Sequence, residues 1–251
     1  MKAMILAAGL GTRLRPLTDE RPKALVEVAG RTMLEITLAR LRDFGIQEVI
    51  VNVHHFADMV VDYLKKNDKF GMRIEISREE VLLDTGGGLK HAAWFFREDP
   101  TALDEPFILH NVDVLSTIDL RRMVQFHHEH QALATLAVQD RETSRFLLFD
   151  EHLQLCGRRA GREGKTEIVR PSRHMEALAF SGIHVVSPRF LGMMNEGDAF
   201  SIIPTYLRLA AEGERILAFQ ADEYSWRDLG RPENVTAAAE EMKQMFTKPE
   251  K

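Results

Sequence analysis

Cysteine is almost absent from this 251-residue chain. Cys156 stands alone, which excludes an internal disulfide framework and any zinc or iron-sulfur site built from several cysteines. Also missing is an uncharged apolar run near the roughly 18 to 20 residues that a membrane span requires. The opening residues, MKAMILAAG, have neither the apolar length nor the export pattern of a signal peptide. A cytoplasmic protein without membrane contact is the expectation. Positive charge is not in excess either: Lys and Arg total 33 against 38 for Asp and Glu, a formal net charge of -5. No chain-wide basic field is therefore available to grip nucleic acid. No repeat, low-complexity tract or clear linker interrupts the chain, so a fused β-helical domain of hexapeptide repeats is not expected. What is present, 45% hydrophobic and 28% charged residues, suits a globular chain of enzyme size.

The first half alternates short β-branched runs with longer segments of helical period, the pattern of βαβ units around a mostly parallel sheet. The spacing predicts strands over 3–8, 48–53, 73–77 and 106–114. Helices are expected over 32–44, with Thr32 as N-cap and Gly45 past the end, over 56–66, and over 88–96. Beyond a helix at 119–130 and a strand at 132–138 the pattern shifts to shorter β-like runs at 146–149, 152–156 and 177–186. The glycine-rich basic stretch 157–165 reads as a mobile hairpin or loop. A helix at 202–212, a strand at 215–220 and a charged helix at 232–246 complete the chain.

The most specific string is Leu6-Ala7-Ala8-Gly9-Leu10-Gly11-Thr12-Arg13-Leu14-Arg15-Pro16-Leu17-Thr18, followed by Pro22-Lys23-Ala24-Leu25 and Val28-Ala29-Gly30. Glycines directly after a buried strand let backbone N–H groups approach phosphate oxygens. No Gly-Lys-Ser/Thr follows at Walker A spacing, and Leu14 occupies the third glycine position of a dinucleotide fingerprint. Arg13, Arg15, Arg21 and Lys23 place four cations where a triphosphate needs neutralising.

The string resembles the signature of the sugar-1-phosphate nucleotidylyltransferases, approximately GxGTRxRPxT, a gap, then PKxLxxVxG. The resemblance implies an α/β fold, a Rossmann-like (GT-A-type) mixed but mostly parallel sheet flanked by helices, with a small β-rich sugar-binding subregion. It implies one domain over 1–251, residues 1–115 forming the nucleotide-binding half and 116–251 the sugar-binding half. Its reaction is attack by a sugar 1-phosphate on the α-phosphorus of a nucleoside triphosphate, assisted by Mg²⁺, with pyrophosphate released. In that scheme Arg13 and Lys23 are catalytic, and Ala7, Ala8, Gly9, Gly11 and Thr12 join them in holding the nucleotide.

Other positions match the same family. Leu83-Asp84-Thr85-Gly86-Gly87-Gly88 looks like its second loop, with Gly86 and Gly87 as nucleotide contacts. The triple glycine is similar to the N-acetylmuramate-1-phosphate uridylyltransferases in particular. Asp113, at the carboxyl end of an apolar strand, matches a Mg²⁺ ligand. Asn111 matches a sugar-phosphate contact, although Val112 stands where the family's common glycine lies between them. Trp226-Arg227-Asp228-Leu229-Gly230-Arg231-Pro232-Glu233 resembles a W-x-D-x-G-x-P-E segment and supplies Asp228 as second metal ligand. Gly182 and Glu176 are the expected sugar contacts, with Ser144 and Arg145 also facing the pocket or serving only as exposed loop polarity. The family's Glu-Lys-Pro motif is missing. His54-His55 and His127-His128 lack the spacing of a helical zinc pair and read as solvated faces. Cys156 reads as packing. The base and the sugar stay open, as does oligomer formation. Guanylyl transfer to mannose or heptose 1-phosphate, cytidylyl transfer to phosphocholine, and a non-catalytic nucleotide-sugar sensor are the competing readings.

Overall fold

The structure, a computed structural model, describes residues 1–98, 104–161 and 163–247. β1 (Lys2–Leu6) leads through a glycine loop to two short paired strands, β2 (Glu27–Val28) and β3 (Arg31–Thr32). Then come α1 (Met33–Asp43), β4 (Glu48–Val53), α2 (Ala57–Lys66) and β5 (Arg73–Arg78). Thr32 caps α1 as expected, its Oγ1 accepting from the Glu35 amide at 3.0 Å. Two helices follow, α3 (Asp84–His91) and α4 (Ala93–Arg97), and then β6 (Phe107–Asn111) and β7 (Val114–Ser116). The second half runs α5 (Leu120–Glu129), β8 (Ala134–Gln139), β9 (Arg145–Phe149), β10 (Leu155–Ala160), β11 (Thr166–Ile168) and β12 (Glu176–Val186). It ends with α6 (Ile202–Ala211), β13 (Ile216–Gln220), β14 (Trp226–Asp228) and α7 (Pro232–Thr247).

Strands β5, β4, β1 and β6 lie side by side in parallel. β12 continues the sheet antiparallel to β6 and passes it to β9, β10 and β11, while β8 pairs β12 and carries β13. The architecture is the expected mixed sheet. Its central strands are buried on both faces, because alternate residues serve opposite layers. Ala3 and Ile5 of β1 join a core with Leu34 and Leu38 of α1, whereas Met4 and Leu6 join one with Leu89, Phe95 and Tyr206.

Two local expectations need correcting, and one alternative is decided. Residues 84–97 form two helices, not one over 88–96, with the break at Ala92 (φ -84°, ψ 0°). The strand expected over 106–114 stops at Asn111 and resumes at Val114, so Val112 and Asp113 form the turn between β6 and β7. The stretch 157–165 takes the hairpin alternative: β10 extends through Ala160 and pairs antiparallel with β11, with Gly157 opposite Ile168.

β12 makes the site possible. Its first residues, Glu176 to Ala179, pair with β9, and its last, Ile183 to Val186, pair with β6. Between them Gly182 takes φ +73° and the ladder with β8 shifts register. A cleft opens there, beyond the carboxyl ends of β1 and β6, where open α/β sheets hold ligands.

Candidate active site

A cavity of about 870 Å³ occupies this cleft. Both predicted metal ligands line it, together with Arg13, Asn111, Ser144 and Gly182. Asp113 follows β6, and Asp228 ends β14, whose antiparallel pairing sets Asp228 opposite Val114. The Leu229 amide also donates to the Asp113 carbonyl at 2.7 Å. Two aspartates 115 positions apart in sequence are thus backbone-linked neighbours.

Each carboxylate already has a cation. Lys23 Nζ forms an ion pair with Asp113 Oδ2, with side-chain exposures of only 16% and 11%. Arg13 Nη2 stands 3.6 Å from Asp228 Oδ2 and is 59% exposed. Asp228 Oδ1 accepts from the Gly230 amide at 2.7 Å, and its carbonyl accepts from Asn234 Nδ2 at 2.7 Å. Gly230 packs closely on this pair: a Cβ there would lie 2.6 Å from Arg13 Nη2 and 2.7 Å from Asp228 Oδ1, so a side chain would push both tips aside. Gly182 is required twice over, by its φ and by a Cβ position 2.8 Å from Asn111 Nδ2.

Of the glycine loop and the segment after it only Arg13 lines the cavity; Ala7, Ala8, Gly9, Gly11, Thr12 and Lys23 lie outside its lining. Gly11 adopts φ +64° before a short 3₁₀ turn at Thr12–Leu14, and Thr18 Oγ1 donates to its carbonyl at 2.8 Å. Gly9 and Thr12 are exposed, while Ala7 and Ala8 are buried. The Ala7 amide is committed internally, donating to Asn52 Oδ1 at 2.7 Å. Asn52 Nδ2 in turn donates to Glu79 Oε1 at 2.6 Å, and Glu79 Oε2 accepts from the Leu83 amide at 3.0 Å. This buried network ties the ends of β1, β4 and β5 to the start of α3, and sequence reasoning did not find it.

Several expected contacts lie elsewhere. Gly86 and Gly87 are buried in α3, and both amides donate to the Phe200 carbonyl, at 2.9 and 3.1 Å. They are packing glycines, with no free N–H for a base. Thr85 Oγ1 accepts from the Ile202 amide and so serves the start of α6. Glu176 is exposed at the start of β12, whereas Gly182 lies inside the strand, and it is hydrogen-bonded by Gln220, outside the cavity lining. Val112 neither narrows nor blocks the site, since its side chain is buried in the core of α1 and β1. His127 is no solvated residue: it is 3% exposed, within 3.0 Å of both Thr135 Oγ1 and Ser187 Oγ. Among the described residues no cluster of three or more His, Cys, Asp or Glu could hold a metal. Cys156 is fully buried, and burial raises its thiol pKa.

Arg141 and Trp226 are the residues that sequence reasoning left out. The Arg141 guanidinium lies 3.5 Å from the Trp226 ring centroid and donates through Nη2 to the Phe180 carbonyl at 2.8 Å. Trp226 Nε1 donates to the Ser181 carbonyl at 2.8 Å. Burial lowers the Arg141 pKa, opposed by the nearby Asp228 charge. The stack braces β12 against β14 and keeps a guanidinium at the cavity wall. The string W-x-D gave a hint of Trp226; nothing in the sequence pointed to Arg141.

A Rossmann-like sheet whose glycine loop, cations and paired aspartates meet at one cleft defines a nucleotide-handling α/β enzyme. The chain belongs to the nucleotidyl transferase family, whose signature matches residues 2–149. It is 34% identical to the N-acetylmuramate alpha-1-phosphate uridylyltransferase of Caulobacter vibrioides over 94% of each chain. It is 29% identical to a mannose-1-phosphate guanyltransferase of Yarrowia lipolytica, matching over 93% of this chain but spanning only 62% of that protein. Among solved structures, UDP-glucose pyrophosphorylase complexed with UDP-glucose superimposes with a TM-score of 0.77 at 17% identity, covering 97% and 98% of the two chains. HddC from Yersinia pseudotuberculosis, complexed with GMP-PN, gives 0.74 at 22% identity over 96% and 99%. These two likenesses establish the shared fold. No helix among the described residues is long and apolar enough to cross a membrane.

Proposed function

We propose that this chain joins a nucleoside triphosphate to a sugar 1-phosphate and releases pyrophosphate, with UTP and N-acetylmuramate 1-phosphate as the substrates. The observation that carries the reading is the meeting of Lys23 with Asp113 and Arg13 with Asp228 at one cavity. The likeness to the Caulobacter enzyme over nearly its whole length supports the choice of substrates. In this reading residues 1–115 carry the nucleotide and 116–251 the sugar, and the reaction supplies a nucleotide sugar for the cell wall from the cytoplasm.

A phosphate monoester is already ionised near pH 7, so no protein nucleophile or general base is needed. The barrier is repulsion between two anions and their placement in line. Lys23 and Arg13, each now facing an aspartate, turn to the triphosphate when it enters and neutralise the charge that develops on the departing pyrophosphate. Asn111 and Gly182 place the sugar phosphate, and the Arg141–Trp226 stack holds that wall in position. Asp113 and Asp228 would hold Mg²⁺, a cation that takes one or two carboxylates and completes its shell with phosphate oxygens and water. When bound, it supplies charge neutralisation at the α-phosphate.

The test is pyrophosphate release with UTP, GTP, CTP, dTTP and ATP, each against a panel of sugar 1-phosphates. UTP with N-acetylmuramate 1-phosphate should give the highest kcat/KM, and GTP with mannose 1-phosphate giving it would move the substrate assignment to the guanylyl reading. Asp228→Asn should lower kcat by about 100-fold or more, the equivalent of losing about 3 kcal/mol of transition-state stabilisation. Asp113→Asn should lose as much and also destabilise the fold, because it leaves Lys23 mostly buried without its partner. Near-normal rates in both variants would remove the two aspartates from the site.

A further inference from the structure

The cavity wall farthest from the glycine loop is built by β9, β10 and β11, and it is unusually cationic. Six cations line the whole cavity, Arg13, Arg141, Arg145, Arg158, Arg159 and Lys165, against three carboxylates. All three carboxylates are matched: Asp113 by Lys23, Asp228 by Arg13, and Glu167 by Arg158, whose Nε lies 2.7 Å from Glu167 Oε2. Four of the six cations have no carboxylate partner among the described residues: Arg141 and Arg159 donate instead to the Phe180 and Gly161 carbonyls, at 2.8 and 3.2 Å, which leaves Arg145 and Lys165 as the pair whose charge is not engaged in this way.

The register brings these two together. Arg145 lies directly opposite Ala160 in the β9–β10 ladder. Arg159 faces Thr166 in the β10–β11 ladder, and the Ala160 amide donates to the Lys165 carbonyl at 3.1 Å, which extends the pairing by one residue. Arg145, Ala160 and Lys165 therefore form one row across three strands, and residues directly opposite each other project from the same face. The two cations sit two strand spacings apart, about 10 Å, with only a methyl group between them. Ser144 fastens one end of this row, its carbonyl accepting from the Gly161 amide at 2.8 Å. Two long, exposed cations flanking a small residue, with no carboxylate of their own, form a seat into which an anion can settle between two charged donors.

Resting on the sugar-1-phosphate reading but on no particular sugar, we infer that Arg145 and Lys165 bind a second anionic group on the sugar, remote from its 1-phosphate. The 1-phosphate belongs at the other end of the cavity, beside Asn111 and the two aspartates. β9, which carries Arg145, is separated from β6 by β12 alone, so a substituent on the far side of the ring reaches the row. The substrate class is an acidic sugar 1-phosphate, in which a carboxylate or a phosphate monoester supplies the second charge. Specificity follows from the unfilled cations, since a neutral sugar leaves both without a counter-charge.

The experiment compares matched sugars with Mg²⁺ and either UTP or GTP: glucuronate against glucose 1-phosphate, N-acetylmuramate against N-acetylglucosamine 1-phosphate, and glucose 1,6-bisphosphate against glucose 1-phosphate. The acidic member of at least one pair should be favoured about tenfold or more in kcat/KM, chiefly through KM, as two charged hydrogen bonds allow. The first two pairs identify a carboxylate and the third a phosphate. Arg145→Gln with Lys165→Gln should reduce that acidic-to-neutral ratio about tenfold. Both positions are exposed, and an unchanged melting temperature confirms that the double variant is folded. Neutral sugars preferred in all three pairs, or a ratio unaltered in the variant, would overturn the inference while leaving the transfer reaction standing. If no sugar turns over, calorimetry with the same acidic sugar phosphates decides: binding lost in the variant keeps the anion seat and rejects the transferase reading, and no binding rejects both.

Discussion

Replacing Gly87 by alanine separates a packing glycine from a ligand-binding one. A Cβ at this position would lie 2.2 Å from the Asp198 carbonyl oxygen and 3.0 Å from Leu83 Cβ. The closer obstacle is backbone, which cannot rotate away as the tip of a side chain can, so α3 and residues 198–201 must move apart. That movement strains the bonds from Gly86 and Gly87 to the Phe200 carbonyl and from the Phe200 amide to the Leu83 carbonyl at 3.0 Å. Overpacking of this kind costs about 1–3 kcal/mol, and each weakened buried hydrogen bond adds about 1 kcal/mol. A loss of about 3 kcal/mol corresponds to a fall in Tm of roughly 6–12 °C for a chain of this size. Thermal and urea unfolding should show that loss, while calorimetry on the folded variant should find nucleotide affinity within a few-fold of wild type. Wild-type stability combined with lost nucleotide binding would refute the reasoning and return the glycine to the ligand.

Other outcomes follow from the same geometry. Gly182→Ala places a Cβ 2.8 Å from Asn111 Nδ2 and 2.9 Å from Val114 Cγ2, at a φ of +73°. It should raise the KM for the sugar 1-phosphate about tenfold or more with little effect on nucleotide binding, as a misplaced contact does, and an unchanged KM would take Asn111 out of the sugar site. Stability should fall in mild acid. Burial holds the pKa of His110 and His184 down to about 3 and that of His127 to about 4, against about 6.5 in the unfolded chain. The unfolded state then binds protons first, so the stabilisation is complete above pH 6.5 and drains away as pH falls towards 3. At pH 5.5 each histidine removes about 1.4 kcal/mol relative to neutral pH. The urea midpoint should therefore drop clearly between pH 7.5 and 5.5, and a flat profile would show that these rings are not buried neutral.

Reading along the chain recovered what depends on local pattern. β1 and β4 announce themselves as continuous apolar runs because strands buried on both faces need apolar residues at every position. The α1 cap was visible in Thr32, since capping is a contact between residues three apart. The string around Gly9 to Gly30 and the segments holding the two aspartates stood out through their resemblance to a family signature, which is carried by residue type and local spacing. Tertiary structure alone decided which of these pieces meet. Pairing of β14 with β7 brings Asp228 beside Asp113, and neither residue carries any trace of the other in its own neighbourhood. Gly86 and Gly87 illustrate the reverse: three consecutive glycines look like an open ligand loop, yet the approach of Phe200 and Asp198 makes them packing contacts. Arg141 was silent because an arginine in a polar loop becomes informative only when Trp226 folds beneath it. Arg145 and Lys165 became a pair only through the register of a three-stranded ladder, since a hairpin's register decides which distant side chains share a face.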